Sequence, residues 1–153
     1  MERIKSFEID HDLLVPGFYI SRVDGDVITY DLRTRKPNMG DYMSDLTMHS
    51  VEHMVATYAR NGRYKDSVVY FGPMGCQTGF YLLMRDAVTP QEVFEMTKEI
   101  LRQILAYEGP VFGASAKECG NYRNLDLDAA KQECRAYLAV LEAQQNMEFT
   151  YPA

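Results

Sequence analysis

Two histidines and a glutamate stand close together in the segment His49-Ser50-Val51-Glu52-His53. In a helix that turns about 100° per residue, His49 and His53 lie about 40° apart, and Glu52 lies about 60° to the other side of His49. Two neutral imidazoles at this spacing can bind one divalent metal ion, and a nearby carboxylate can move protons for whatever the metal holds. The chain has only 3 histidines. Two of them beside a glutamate favour a metal-centred active site over a solvent-exposed helix face.

A third metal ligand must come from elsewhere in the chain, because two histidines leave a metal ion under-coordinated. The chain has 3 cysteines, and thiolate is the strongest candidate ligand. Cys119 is the best placed, since it lies in the polar loop 116–121 and Gly120 lets the backbone come close to an ion. Cys134 lies on the apolar stripe of a predicted helix, which is typical of a buried small hydrophobic residue.

Ligands from His49, His53 and Cys119 would leave one position open for water or substrate, as in a catalytic site. Glu52 cannot easily share the same ion with His53, because adjacent helical residues diverge by about 100°. The pattern therefore predicts a general base at Glu52.

A second thiol, Cys76, lies in the glycine-broken loop 72–79. Little steric cover and successive backbone N–H groups could stabilise a thiolate there, which would act as acid or base. A small residue filling a tight turn is an equally good interpretation from composition alone. Taken singly, His11 is typical of a surface histidine and Arg33 of a surface ion pair.

Length, charge and cysteine content restrict the class of protein. The chain has 153 residues and a net charge of −6, which predicts one domain, residues 1–153, and disfavours nucleic-acid and anionic-membrane partners. The first residues lack the apolar core of a secretory signal, and no run approaches the roughly 18 apolar residues of a membrane span. An odd number of cysteines argues against a disulfide framework, and we expect a cytoplasmic protein.

The elements that must position these residues follow from alternation and turn signals. Strands are predicted at 18–23 and 27–33, joined by the turn pair Asp24-Gly25, and at 67–71 and 80–84, joined by the Cys76 loop. Strands that meet as hairpins favour an antiparallel sheet.

Three helices are predicted between and after these strands. The first covers 47–61 and is ended by Gly62 in the left-handed conformation. The second has the capping box Thr89-Pro90-Gln91-Glu92, ends at Gly109-Pro110 and has an apolar face. The third begins after Asp126. The predicted fold class is α+β: an antiparallel sheet with helices packed on one face, in two layers. The predicted apolar positions are Val93, Met96, Ile100, Leu101, Ile104 and Leu105 in the second helix, and Ala130, Cys134, Tyr137, Leu138 and Leu141 in the third.

Five segments, taken in order, resemble the S-ribosylhomocysteine lyase family, whose members make the precursor of autoinducer-2 in bacteria. The resemblance covers nearly the full length, and the set is far more specific than His-x-x-Glu-His alone, which inverted zincin peptidases share. The chain departs from the pattern at Gly72, where serine is expected, and in the short segment 61–66. The segments are Ser6-Phe7-Glu8-Ile9-Asp10-His11, Asp31-Leu32-Arg33 followed by Pro37-Asn38, His49 to His53, Pro73 to Gly79, and Glu118-Cys119-Gly120.

The resemblance implies a metal site and two acid–base groups. His49, His53 and Cys119 would hold one divalent ion per subunit, which in this family is ferrous iron, readily replaced by zinc or cobalt. Glu52 and Cys76 would transfer protons.

The resemblance also implies a substrate and a partner. Ser6, His11 and Arg33 match positions that contact S-ribosylhomocysteine and reach across a homodimer interface into the partner's metal site. The reaction would move a carbonyl along the sugar, release homocysteine and leave 4,5-dihydroxy-2,3-pentanedione.

Two other functions are compatible with the histidine pair. An inverted-zincin metallopeptidase would need a downstream glutamate such as Glu118 or Glu133 as third ligand, which would leave the Cys76 and Cys119 motifs without a role. A metal-storing or metal-sensing module would need no open coordination position and no general base at Glu52.

Overall fold

Four strands form one antiparallel sheet in the computed structural model, which describes residues 1–153. Both predicted hairpins are confirmed, and their second strands pair with each other at the centre of the sheet. The order across the sheet is therefore β1-β2-β4-β3. The strands are β1 (Gly17–Asp24), β2 (Val27–Arg33), β3 (Val68–Pro73) and β4 (Gly79–Arg85).

The turn of the first hairpin lies one residue later than predicted. Asp24 pairs with Val27, so Gly25 and Asp26 form the tip, and Gly25 supplies the positive φ of 59°. Asp24 stays in the strand, where its carboxylate accepts hydrogen bonds from Arg22. The flexible glycine therefore determines where this chain reverses.

The predicted helices are confirmed, and their starts follow capping chemistry. The side chain of Ser44 accepts a hydrogen bond from the N–H of Thr47, so the helix predicted at 47–61 begins before residue 47. Thr89 and Glu92 form the predicted capping box, and Asp126 is the predicted N-cap. The helices are α1 (Lys5–Glu8), α2 (Asp45–Arg60), α3 (Pro90–Ala106) and α4 (Leu127–Ala143), with a short 3₁₀ turn at Lys65–Ser67.

The prediction that Gly62 ends α2 in the left-handed conformation is wrong. Gly62 is not among the residues with positive φ, and Asn61 caps the helix instead, with its N–H bonded to the carbonyls of the last turn. The missing side chain at Gly62 has another use: a Cβ there would lie 3.1 Å from the Tyr58 carbonyl oxygen. Glycine is needed here because a side chain would be too close to this carbonyl, and not because the backbone adopts an unusual dihedral angle.

The three long helices pack on one face of the sheet, which confirms the predicted two-layer α+β fold. Alternate residues of β2, namely Ile28, Tyr30 and Leu32, point into the core between the sheet and the helices. The whole predicted stripe of α4 is buried, and on the predicted face of α3 Met96 and Leu105 are partly buried. No helix combines the length and the apolar character that crossing a membrane requires.

The C-terminal segment passes around the edge of β1. The N–H of Ile20 donates to the carbonyl of Phe149 at 2.7 Å, and the Phe149 ring packs on Phe18 in the core. Two residues later, the Tyr151 ring stacks on Tyr19, which points to the opposite face. That face also contains Asp31, so the end of the chain covers a polar part of the sheet.

Candidate metal centre and neighbouring thiol

The structure brings together the three residues predicted as metal ligands. His49 and His53 lie one turn apart on α2, with ring centroids 4.6 Å apart and planes at 88°. Cys119 comes from the loop between α3 and α4, and its Sγ lies 3.4 Å from Nε2 of His49. One ligand atom from each residue lies within 4.8 Å of the other two.

The distance between the Cys119 sulfur and the His49 imidazole suits a tetrahedral metal ion. Metal–nitrogen bonds of about 2.0–2.1 Å and metal–sulfur bonds of about 2.3 Å place tetrahedral ligand atoms roughly 3.3–3.6 Å apart. The 3.4 Å between Cys119 Sγ and His49 Nε2 falls in this range. The cluster has three members, which is the number of protein ligands typical of catalytic sites, where water or substrate binds the metal at a fourth position.

Each imidazole is oriented by a backbone carbonyl. Nδ1 of His49 lies 2.8 Å from the carbonyl oxygen of Asn124, and Nδ1 of His53 lies 2.7 Å from that of Phe112. A carbonyl only accepts hydrogen bonds, so Nδ1 carries the proton in both rings. The lone pair of Nε2 is then free for a metal ion, as in many metal-bound histidines.

The loop between α3 and α4, which carries both carbonyls, approaches the histidines closely. Gly113 has φ +71°, and a Cβ on it would lie 3.2 Å from Nδ1 of His53. The N–H of Asn121 points to Cys119 Sγ at 3.4 Å, a contact that stabilises negative charge on sulfur. Glycine and a backbone donor therefore shape the site around the ligands.

Glu52 lies on the same helix as the two histidines and is half-buried. It takes part in none of the ion pairs of the chain. A carboxylate without a fixed cation can accept and return a proton.

Cys76 is exposed at the turn between β3 and β4, as predicted, but the two residues whose side chains contact it, Arg33 and Thr78, are buried. Nη1 of Arg33 lies 3.7 Å from the sulfur and 2.8 Å from Thr78 Oγ1, which itself lies 3.1 Å from the sulfur. The thiol therefore stands at the end of a guanidinium and beside a hydroxyl. Both groups can donate hydrogen bonds to the sulfur.

The ion pair of Arg33 is buried, whereas the residue alone suggested a surface pair. Arg33 is 2% exposed, and its Nε and Nη2 donate to both carboxylate oxygens of Asp31, which is 0% exposed. Burial lowers the pKa of Arg33, but the Asp31 charge and hydrogen bonds outweigh it, so the pKa is raised. The residues opposite Arg33 on the adjacent strands are Gly17 and Gly79.

Ser6 and His11 lie outside the metal cluster. Ser6 belongs to α1 and His11 follows it, and both are half-buried ahead of β1. Nδ1 of His11 bonds to the carbonyl of Ile9 at 2.8 Å. Within one chain, these two residues and the cluster are parts of separate segments.

Sequence reasoning missed four groups that hold the site. The carbonyls of Asn124 and Phe112 carry no side-chain signal at all. Asp31 could have been found, because residues two apart on a strand share a face and Asp31 precedes Arg33 by two. Thr78 stands two residues after Cys76, but its contact depends on the shape of the turn.

Taken together, a two-layer α+β fold and an imidazole–imidazole–thiol cluster define a candidate mononuclear metalloprotein. A profile of the family described as S-ribosylhomocysteinase (LuxS) matches residues 4–148. The chain belongs to this family, as the resemblance of its motifs predicted.

Relatives with similar sequences carry the same description. A protein of Clostridium beijerinckii named S-ribosylhomocysteine lyase is 43% identical over 143 residues, covering 90% of each chain. Proteins with the same name from Finegoldia magna and Phocaeicola vulgatus are 40% and 42% identical, over 99% of this chain and 99% and 98% of theirs.

The metallopeptidase alternative lacks its third ligand. Glu118 accepts a hydrogen bond from Ser115 Oγ at 2.7 Å, and both carboxylate oxygens of Glu133 bind Arg35. Neither glutamate belongs to the cluster, whose third member is Cys119. The site and the family both disfavour a peptidase.

Proposed function

We propose that this chain is a metal-dependent lyase that converts S-ribosylhomocysteine to homocysteine and 4,5-dihydroxy-2,3-pentanedione, the autoinducer-2 precursor. The observation that carries the proposal is the three-residue cluster in a chain that matches the family over residues 4–148. The names of the relatives agree with this activity.

His49, His53 and Cys119 would hold one divalent ion, and ferrous iron, replaceable by zinc or cobalt, fits two imidazoles and one thiolate. A bound ion would supply Lewis acidity toward the carbonyl and hydroxyl oxygens of the sugar. The carbonyls of Asn124 and Phe112 keep both rings in the tautomer that binds.

The proposed reaction consists mainly of proton transfers, which side chains of the protein would carry out. The thioether sulfur on C5 leaves only when a carbonyl at C3 acidifies the proton on C4. The carbonyl must therefore move from C1 to C3, and each move takes a proton from one carbon and returns it to its neighbour. No oxidant is needed, and loss of the C4 proton with release of the C5 sulfur completes an elimination.

Glu52 and Cys76 are the proposed acid–base groups. Glu52 lies on α2 with two of the proposed ligands, which supports a role for its carboxylate in proton transfer at the metal site. Cys76 has the Arg33 guanidinium and the Thr78 hydroxyl to stabilise a thiolate. Arg33 would thus serve the thiol as well as the substrate.

The functional unit is proposed to be a homodimer, in which Ser6, His11 and Arg33 contact substrate held by the partner's metal ion. Large apolar side chains exposed before and within β1 support a subunit contact there. These side chains are Ile4, Phe7, Leu13, Val15 and Val23, which are 57, 64, 45, 45 and 60% exposed. A cytoplasmic location is also proposed, and three free thiols fit a reducing compartment.

Thiol release from S-ribosylhomocysteine, by anaerobically purified protein of measured metal content, tests the activity and the roles of the two thiols. We expect Cys76→Ala to keep its metal and lose at least about 10²-fold in kcat, and Glu52→Gln to lose a similar factor. Cys119→Ala should lose the metal itself. Cys134→Ala, which removes a buried thiol from α4, is the matched control and should keep both. Turnover by Cys76→Ala, or metal retained by Cys119→Ala, would contradict the assignments.

Mixing two inactive variants tests the shared site. A His11→Ala chain keeps its ligands, and a Cys119→Ala chain keeps its His11, so a mixed dimer contains one complete site if the two segments meet across the interface. An equimolar mixture should then recover roughly a quarter of the parent activity, because half of the dimers are mixed. No recovery, with dimers verified by sedimentation, would contradict a composite site.

A further inference from the structure

Tyr151, near the end of the chain, begins a line of hydrogen bonds that ends at Cys76. Its hydroxyl donates to Asp31 Oδ2 at 2.7 Å. The same carboxylate binds Nε and Nη2 of Arg33, whose Nη1 reaches Cys76 Sγ. Asp31 and Arg33 are both fully or almost fully buried. Only the thiol at the far end is exposed.

We propose that Tyr151 is a positioning residue for Cys76, acting through Asp31 and Arg33. The inference rests on the proposed function, in which Cys76 transfers protons. It adds a group from the C-terminal segment, outside all the motifs that indicated the family.

The charges on this line explain why a neutral donor matters at its start. Asp31 and a thiolate at Cys76 compete for the single positive charge of Arg33. A hydrogen bond from Tyr151 spreads part of the negative charge of Asp31, which leaves more of the guanidinium charge for the sulfur. Burial, followed by the charge of Asp31, raises the pKa of Tyr151, so its hydroxyl remains a donor at neutral pH.

The fold fixes the position of this hydroxyl. The Tyr151 ring stacks on the Tyr19 ring at 5.0 Å between centroids and 28° between planes. Two residues earlier, Phe149 is buried in the core and its carbonyl accepts from the N–H of Ile20. The segment is thus held on both sides of β1, and the hydroxyl is directed at Asp31.

The variant Tyr151→Phe keeps the stacked ring and removes only the donor. In the metal-loaded protein we expect the pH midpoint for alkylation of Cys76 by iodoacetamide, read on its own peptide by mass spectrometry, to rise by about half a unit. We expect kcat to fall about threefold, with KM and metal content unchanged. The matched control is Tyr19→Phe, whose hydroxyl donates to the Val15 carbonyl and not to Asp31, and it should keep the parent midpoint.

Two results would overturn the inference. They are an unchanged alkylation midpoint in Tyr151→Phe, whether or not kcat falls, and an equal shift in Tyr19→Phe. The alkylation readout needs no substrate, so it tests the link to Cys76 independently of turnover. The proposed function is tested separately by the thiol-release assay. Thiol release by the Cys76→Ala variant would contradict the proposed role of Cys76 and would not depend on Tyr151.

Discussion

Two buried tyrosine hydroxyls, on Tyr30 and Tyr137, have opposite surroundings. The Tyr30 hydroxyl is buried without any hydrogen-bond partner, whereas that of Tyr137 donates to the Gly17 carbonyl at 2.8 Å. A buried polar group without a partner costs free energy, because water has been removed and nothing replaces it. The first hydroxyl therefore destabilises the fold, and the second contributes to joining α4 to β1.

We expect Tyr30→Phe to raise the free energy of unfolding by about 1 kcal/mol, since it removes the unpaired hydroxyl and leaves the ring in place. Tyr137→Phe should lower it by about 1–2 kcal/mol, because the Gly17 carbonyl then loses its donor. Urea unfolding of both variants, under one set of conditions, measures the two changes. Equal destabilisation by both variants would show that the Tyr30 hydroxyl has a partner after all.

At the same scale, the proposed ligand side chains could be predicted from the sequence, but the backbone groups that orient them could not. His49, His53 and Cys119 were predictable because the chain has only 3 histidines and 3 cysteines, and these three residues lie in a helical His-x-x-Glu-His segment and a polar loop. The carbonyls that orient the two rings belong to residues 112 and 124, far away in sequence. Any residue can offer a carbonyl, so only the folded chain reveals which one does.

Among the elements, α2 carries two of the three proposed ligands and is hydrogen-bonded to the loop that carries the third. Ser50 is completely buried between His49 and Glu52 in sequence. Its Oγ donates to the Leu46 carbonyl at 2.7 Å and accepts from the N–H of Asp126 at 2.8 Å. Asp126 caps α4 two residues after the carbonyl that orients His49. One hydroxyl thus ties the start of α4 to the helix that carries the histidines.

The variant Ser50→Ala should weaken metal binding about tenfold, because the Cys119 loop loses one of its attachments to α2 and the Asp126 N–H is left without a partner. Competition with a chromogenic zinc chelator measures the affinity. The control is Thr97→Val, which removes a buried hydroxyl bonded to the carbonyl four residues earlier in α3, away from the site. A loss of stability in Ser50→Ala with parent metal affinity would mean that the tie does not serve the metal.

The elements themselves were predictable where one residue type has one structural use. The Thr89–Glu92 capping box and the Asp126 N-cap are examples, because their side chains satisfy backbone donors locally. The predicted left-handed conformation of Gly62 was wrong because glycine can serve either positive φ or close packing. The sequence does not distinguish these two uses. Here close packing against the Tyr58 carbonyl is the reason for glycine, and that contact exists only at the folded helix end.

At the scale of the molecule, the sheet has two differently built faces. The helix face was predictable, since periodic apolar residues in α3 and α4 require a partner to cover. The opposite face contains the Asp31–Arg33 pair, which the C-terminal segment covers through Tyr151. Burial of that pair could not be read from the sequence, because an alternating charged stretch normally indicates a solvent-exposed face.

Burying so many ionisable groups in neutral form makes the whole fold sensitive to alkali. Burial raises the pKa of Tyr30 to about 12, and burial followed by the Glu133 charge raises that of Cys134 to about 12. The pKa values of Tyr137 and Tyr151 are also raised by burial. In the unfolded chain these groups lose protons near their ordinary values of about 8.5 to 10. Above that range the unfolded state binds fewer protons than the folded state, so stability falls as pH rises.

The free energy of unfolding should therefore be independent of these groups below about pH 8 and fall between about pH 9 and 12. Each group adds up to about 1.4 kcal/mol per pH unit to the slope, so Cys134→Ala should make the decline shallower by about that amount. Leu138→Ala, a buried neighbour on α4 without an ionisable group, should lower stability equally at every pH and leave the slope unchanged. Urea unfolding from pH 7 to 11 compares the three proteins, and effects of bound metal cancel in the differences. Parallel curves for the parent and Cys134→Ala would show that the thiol ionises as easily in the folded chain as in the unfolded one.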